Sequence, residues 1–238
     1  MSSFQPTERS RVRRTPKRAR YDRETIYAIL DSALLCHVGY VIDGAPYVTP
    51  TAFWREGDRL YWHGSSASRM LRTLSGGVPA CLTVAHLDGF VLARSGFHHS
   101  LNYRSVMAFG LARMVENPAE KAAALDAFID RLYPGRRAEL RPNSGREMKA
   151  TTVLSMAIEE ASAKIRTGPP VDDEEDYDLP CWAGVIPVRT VVGEPIADPR
   201  LRPGIAWPEG LTPYAAEAEL GVILQKLAGA TGPGKSHG

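Results

Sequence analysis

The chain has 238 residues, 44% hydrophobic and 24% charged, a balance that suits one soluble α+β domain with its own core, alone or with arms. It has no run of 18 apolar residues, its start (MSSFQPTERSRVRR) lacks the apolar centre of a secretory signal, and Cys36, Cys81 and Cys181 form no CxxC pair. A membrane span, a secretory leader, a disulfide framework and a structural zinc site are therefore not expected, and a reducing cytoplasm is.

The formal net charge of +2 conceals a division, because residues 1–23 hold eight Lys/Arg against Glu8 and Asp22, which leaves the rest of the chain acidic. Basic charge thus belongs to an arm over residues 1–20. The arm has no aromatic or groove-reading element beside it, so an extended segment lying on the body or on a partner subunit is expected rather than a nucleic-acid contact. Asp22 reads as the N-cap of a helix over Arg23 to Leu35, with Ile26, Ile29, Leu30, Ala33 and Leu34 on one face. Cys36 to Ile42 alternates as a strand, Asp43-Gly44 signals a two-residue hairpin, and Ala45 to Trp54 pairs back. After the turn Glu56-Gly57-Asp58, Arg59 to His63 makes a third strand, followed by a short helix over Ser66 to Ser75 closed by Gly76-Gly77.

Pro79 to Ala85 and Phe90 to Arg94 form one long or broken strand across Asp88-Gly89, and Ser100 to Val115 forms another. Asn117-Pro118 opens a helix that runs to Leu132 and stops at Pro134-Gly135. Residues 136–146 read as loop, and Thr151 to Ile165 as a strand broken at Glu159-Glu160. The acidic, proline-bounded stretch 167–180 reads as a solvated connection, Cys181 to Val188 as a late strand, and Pro213 to Leu227 as a helix before a disordered tail. Hairpin-linked strands with helices arriving singly, and no GxGxxG after a first strand, argue against a Rossmann fold. The expected class is α+β, mainly β: an antiparallel barrel with helices packed outside. The body covers residues 21–195, with a C-terminal extension over 196–238.

The richest stretch is TPTAFWREGDRLYWHGSSASRML, Thr49 to Leu71. Ser65, Ser66 and Ser68 bring hydroxyl donors, and Arg69 a forked permanent cation, to the start of a helix, where backbone N–H groups also favour an anion. An aromatic strand beside such a corner outlines a site for a flat ring with a phosphate tail, flavin mononucleotide (FMN). Serines before an apolar helix are more often a plain N-cap than a ligand site, so the residues alone leave both readings open.

Four segments, YDRETIYAILD (21–31), VTPTAFWREGDRLYWHGSSASRML (48–71), DGFVLARSGFHHSLNYRSVMAFGLAR (88–113) and KIRTGPP…DYDLPCWAGVIPV (164–188), occur in an order that resembles the pyridoxamine 5′-phosphate oxidase-like superfamily. Within it, the chain looks like the flavin-nucleotide-binding branch that includes nitroimidazole-resistance reductases. The resemblance implies an FMN-binding split β-barrel, usually a homodimer with the cofactor at the subunit interface. It places Thr49, Pro50, Thr51, Ala52 and Phe53 along the isoalloxazine ring, and His63, Gly64 and Ser65 beside the ribityl chain. It also places Ser68 and Arg69 at the phosphate, Arg104 and Ser105 on the strand that closes the cleft, and Trp182 in the neighbouring subunit's share of the site. The oxidases that act on vitamin B6 phosphates end in an arginine–histidine substrate site. Here GEPIADPRLRPGIAWPEG stands in its place, so that activity does not follow.

The function expected is an FMN-dependent oxidoreductase acting on an unidentified small molecule, with no catalytic residue assigned. The alternatives are a non-catalytic FMN or haem carrier of the same fold, with His63, His98 and His99 as haem candidates, and a deazaflavin-dependent reductase. His98 and His99 are adjacent and cannot face one ion together, so no metal is expected. Trp54 and Trp62, on paired strands, are expected to stack in the barrel wall.

Overall fold

A computed structural model describes residues 2–230 of the protein. The basic arm packs on the body. Phe4 is buried with an edge-on contact to Tyr27, Ser3 bridges Asp22, and strand β1 (Ala19–Arg20) pairs with Lys164 and Ala163. Asp22 then accepts the Thr25 backbone N–H at 2.8 Å and starts α1 (Arg23–Asp31), whose Ile26, Ile29 and Leu30 face the core. The helix ends before the expected Leu35, because Leu35 already pairs with Ala52 as the first residue of β2 (Leu35–Ile42).

Asp43 and Gly44 both take positive φ (50° and 79°), the two-residue turn that matches strand twist, and return the chain as β3 (Ala45–Glu56). Next come β4 (Arg59–Ser65) and α2 (Arg69–Leu74). The expected helix over 66–75 is shorter because Ser66 donates to the Ala150 carbonyl and Ser68 to that of Ser65, which makes a turn there instead. Gly76-Gly77 does not close it; both belong to β5 (Gly76–Leu92), with a bulge at Gly77 and another between Leu87 and Gly89. β6 (Ser100–Met114) runs back along nearly all of β5. Asn117 accepts two backbone N–H groups to cap α3 (Pro118–Leu132).

Within the stretch expected to be loop, Ser144 and Glu147 form a reciprocal capping box that starts α4 (Gly145–Ala150). The broken strand after it is two strands with different neighbours. β7 (Thr151–Ala157) pairs with β4 and the end of β6, and β8 (Glu160–Arg166) pairs with the start of β6 and with β1. At the handover Gly110 lies so close to the Ala157 carbonyl that a Cβ would sit 2.1 Å from its oxygen, which only glycine avoids. The late strand is β9 (Gly184–Pro187), on β5. The last helix begins later than expected, as α5 (Leu220–Ala230), because Pro213 sits in a 3-10 turn and Glu217 takes φ 63°. The expected disordered tail lies largely outside the described residues.

Strands β6, β7, β4, β3, β2 and β5 follow one another by antiparallel pairing, and β5 pairs with β6 to close the ring. The fold is an antiparallel split β-barrel with helices outside. Alternation sorts the aromatic residues by face. Phe53 and Trp62 fill the barrel interior with Leu30, Leu82 and Met156, while Trp54 and Tyr61 stack at 5.5 Å on the outer face beneath α3. Trp54 and Trp62 therefore do not stack on each other; they belong to different cores. Among the described residues no helix is long and apolar enough to cross a membrane.

Candidate functional site

Two neighbouring strands part company at the centre of the site. β3 pairs with β2 from Ala45 to Ala52, yet pairs with β4 only from Phe53↔Trp62 to Glu56↔Arg59. Beyond that point, among the described residues, no strand lies opposite the free edge of Thr49, Pro50, Thr51 and Ala52. The far side of the opening is formed by His63, Gly64 and Ser65, which pair only with β7. Backbone donors and acceptors on such an edge need partners, and a planar ring with polar edges can supply them. Phe53 does not reach the opening, because its side chain is 1% exposed inside the barrel, its backbone N–H donates to the Leu34 carbonyl at 3.2 Å, and it already stands opposite Trp62. Gly64 fits closely, since a Cβ there would meet Leu71 of α2 at 3.0 Å.

At the end of the opening the α2 corner bends back over β3. The Arg69 guanidinium lies 4.5 Å from the centre of the Tyr47 ring, a cation–π contact that spans the gap between α2 and β3. Among the described residues Arg69 has no carboxylate partner, and its contact is with the face of the Tyr47 ring. The Ser68 side chain makes no cap hydrogen bond, whereas the Ser65 hydroxyl accepts from the Ala67 N–H at 3.2 Å. Tyr47 was not among the residues singled out by sequence. Its signal was there, an aromatic residue near the hairpin end of β3, but its contact runs across chain-distant elements.

The His63 side chain does not enter the opening. It shares the outer face with Trp54 and Phe128, at ring separations of 5.9 and 5.0 Å. Burial pushes its pKa below the ordinary histidine value, and its Nδ1 is buried with no partner among the described residues.

Arg104, Ser105 and Trp182 lie apart from the opening, the first two on β6, which pairs with neither β3 nor β4, and the third just before β9. Arg104 makes a bidentate pair with Asp88, both bonds 2.9 Å, beside a cavity of about 550 Å³ lined by His86, Ser32 and Glu219. The Ser105 hydroxyl donates to the Lys164 carbonyl, and Trp182 is 65% exposed against Gly184. One copy of the chain therefore does not bring the two groups together. The acidic connection is also less solvated than expected, because Asp172 is buried and accepts the Arg94 backbone N–H at 2.8 Å and its guanidinium at 3.1 Å. Ligand atoms of His98, Asp172 and Asp176 lie within 4.8 Å of one another, but Arg94 already occupies Asp172.

Comparison with known proteins agrees with this architecture. No curated protein matches the chain. Among solved structures, the flavocytochrome Anf3 of Azotobacter vinelandii is 50% identical, with a TM-score of 0.84 over 88% of this chain and 98% of that one. A FAD- and haem-binding protein of Mycobacterium smegmatis is 39% identical, with a TM-score of 0.80 over 85% and 99% of the two chains. A candidate 5-nitroimidazole antibiotic resistance protein of Bacteroides thetaiotaomicron is 26% identical, with a TM-score of 0.50 over 62% and 86%. Residues 22–165 match the family model of pyridoxamine 5′-phosphate oxidase, so the chain belongs to that family.

Proposed function

We propose that this protein binds a flavin nucleotide in the opening between β3 and β4 and acts as a flavin-dependent oxidoreductase on a small molecule. The observation that carries the reading is the unpaired β3 edge from Thr49 to Ala52, ending at an Arg69 fork that no carboxylate neutralises. The edge offers backbone groups to the polar rim of an isoalloxazine. Arg69 and the free Ser68 hydroxyl offer a cation and a directed donor to its phosphate, which a phosphate dianion in a cleft requires. When bound, the flavin supplies hydride or single-electron chemistry, and the protein supplies position and electrostatics. FMN satisfies every contact named here. FAD, which the Mycobacterium smegmatis relative binds, carries the same ring and inner phosphate.

The proposed assembly is a homodimer. Leu35, Val41 and Val48 are more than half exposed on the outer sheet face, beside exposed Pro46, Pro50 and Met107, and soluble monomers seldom leave such a patch bare. A second copy on this face is also the means by which Arg104, Ser105 and Trp182 would approach the opening.

Haem is a second reading, raised by the flavocytochrome and the FAD- and haem-binding relative. His63 suits it, since burial disfavours the protonated imidazole and leaves its Nδ1 unpartnered among the described residues. The test is the absorption spectrum and mass of the molecules that leave the purified protein on denaturation. Flavin bands bleached by a reductant and restored by air are expected. A colourless protein that takes up neither FMN nor FAD would overturn the proposal. A Soret band lost in His63→Ala would establish the haem.

A further inference from the structure

Arg166 closes β8 and is 8% exposed, yet among the described residues no carboxylate stands within ion-pair distance of it. Its guanidinium donates to three neutral acceptors, the Asn102 side-chain oxygen and the carbonyls of Gly168 and Pro169. Its Nε–H is buried with no partner. An isolated buried cation is costly, and a native fold rarely keeps one without an anion. A second cation makes the arrangement less favourable still. Arg18, from the basic arm, stands close enough that its charge joins burial in lowering the Arg166 pKa. Lys164, two residues back on the same face of β8, has no ion pair among the described residues. Tyr103 stands directly across the ladder from Arg166, and its hydroxyl has no hydrogen-bond partner among the described residues.

The arm is held there under strain. Thr15 takes φ 56°, the left-handed region that β-branched residues avoid, and does so before Pro16, which favours extended backbone in the residue ahead of it. That bend starts the 3-10 turn Pro16–Arg18, which brings Arg18 over β8. Such strain persists where surrounding structure or a ligand compensates for it.

We propose that Arg166, Arg18 and Tyr103 form a binding site for the oxyanion of a ligand, a phosphoryl or carboxylate group, separate from the Arg69 corner. The two sites cannot share one phosphate within a chain. Val48, next to Tyr47, lies across from Gly39 and then Cys81, whereas Arg166 lies across from Tyr103 and then Leu87. Six residues of β5 separate those points, roughly 20 Å at the rise of a strand. The flavin reading enters only in naming a source for the oxyanion. The terminal part of a flavin nucleotide bound by a second copy and a haem propionate both have the required chemistry, as does free phosphate.

Inorganic pyrophosphate is the probe. Added to the purified full-length protein against sodium chloride of equal ionic strength, it should raise the melting temperature. Arg18→Gln and Arg166→Lys should each weaken its binding at least about tenfold, the loss of one charge-assisted contact, while Arg11→Gln in the same arm leaves it unchanged. If Arg166→Lys fails to fold, Arg18→Gln, a surface change, carries the test. No advantage of pyrophosphate over chloride overturns the site and points to a carboxylate of a partner subunit as the neutralising group. An equal loss in Arg11→Gln overturns it as diffuse arm charge. The source is read from Arg18→Gln. Weaker FMN or FAD binding with riboflavin unaffected assigns the flavin phosphate, and weaker haem uptake alone assigns the propionate. Pyrophosphate binding by a protein that takes up no flavin sustains this site while the function proposed above fails.

Discussion

Arg131 and Arg166 are both withdrawn from water, but their surroundings differ in kind. Arg131, on α3, meets the Asp31 carboxylate and carbonyl at 3.3 Å and the Arg55 carbonyl at 3.1 Å, and Asp31 is held in turn by the Arg55 fork. That cluster ties α1, β3 and α3 into one frame and neutralises much of its own charge. Arg166 has comparable burial, only neutral acceptors, and another arginine for company. The first arrangement is complete within the chain. The second needs something the chain does not supply, and this contrast separates a structural cation from a ligand-seeking one.

The comparison can be broken most sharply at Asp31. Asp31→Ala removes the carboxylate that Arg55 shares with the buried Arg131 and should cost about 3–5 kcal/mol, read as a lower urea midpoint. A loss under about 1 kcal/mol would show that burial, not pairing, sets the worth of these groups. Arg69 extends the comparison to a cation at the surface. Arg69→Gln should weaken FMN binding by about 1.5–3 kcal/mol, roughly ten- to a hundredfold in Kd by flavin fluorescence titration, with stability scarcely altered. Arg166→Met should lie within about 1 kcal/mol of the parent, or above it, in buffer free of oxyanions, because an unpaired buried charge gives way to an apolar side chain. A loss as large as that of Asp31→Ala would erase the distinction.

The smallest effect concerns protons. Burial lowers the folded-state pKa of His63, and of His86 beside Arg104, below that of the unfolded chain. Folding then favours the neutral rings, so their contribution is fully present above the free histidine value of about 6.5 and is lost as pH falls through and below it. The urea midpoint should drop between about pH 7 and about pH 5, and His63→Phe, packed between Trp54 and Phe128, should drop less. An unchanged pH slope in that variant would mean that His63 is not held neutral.

Signals contained in a few adjacent residues were legible in the sequence. Asp22, Asp43-Gly44 and Asn117-Pro118 each fix a local geometry that needs nothing from elsewhere, and the structure has a cap, a turn and a cap at those places. Ser144 and Glu147 offered the same kind of signal within a stretch rich in Pro, Gly and Arg, which concealed the helix they start. What could not be read was which strand end meets which. Arg104 sits in a strand as predicted, but its fork is engaged by Asp88, and the Arg69 ring partner lies 22 residues back in the chain. Arg166 lay within a quoted motif and drew no role, because an arginine's lack of a counter-charge is visible only in three dimensions.

The bare border of β3 has a consequence beyond catalysis. A strand edge with no neighbour templates the addition of foreign strands. On the reading proposed here, a ring seated along Thr49 to Ala52 fills the place an intruding chain would take. The protein stripped of that ligand should then aggregate faster than the loaded protein.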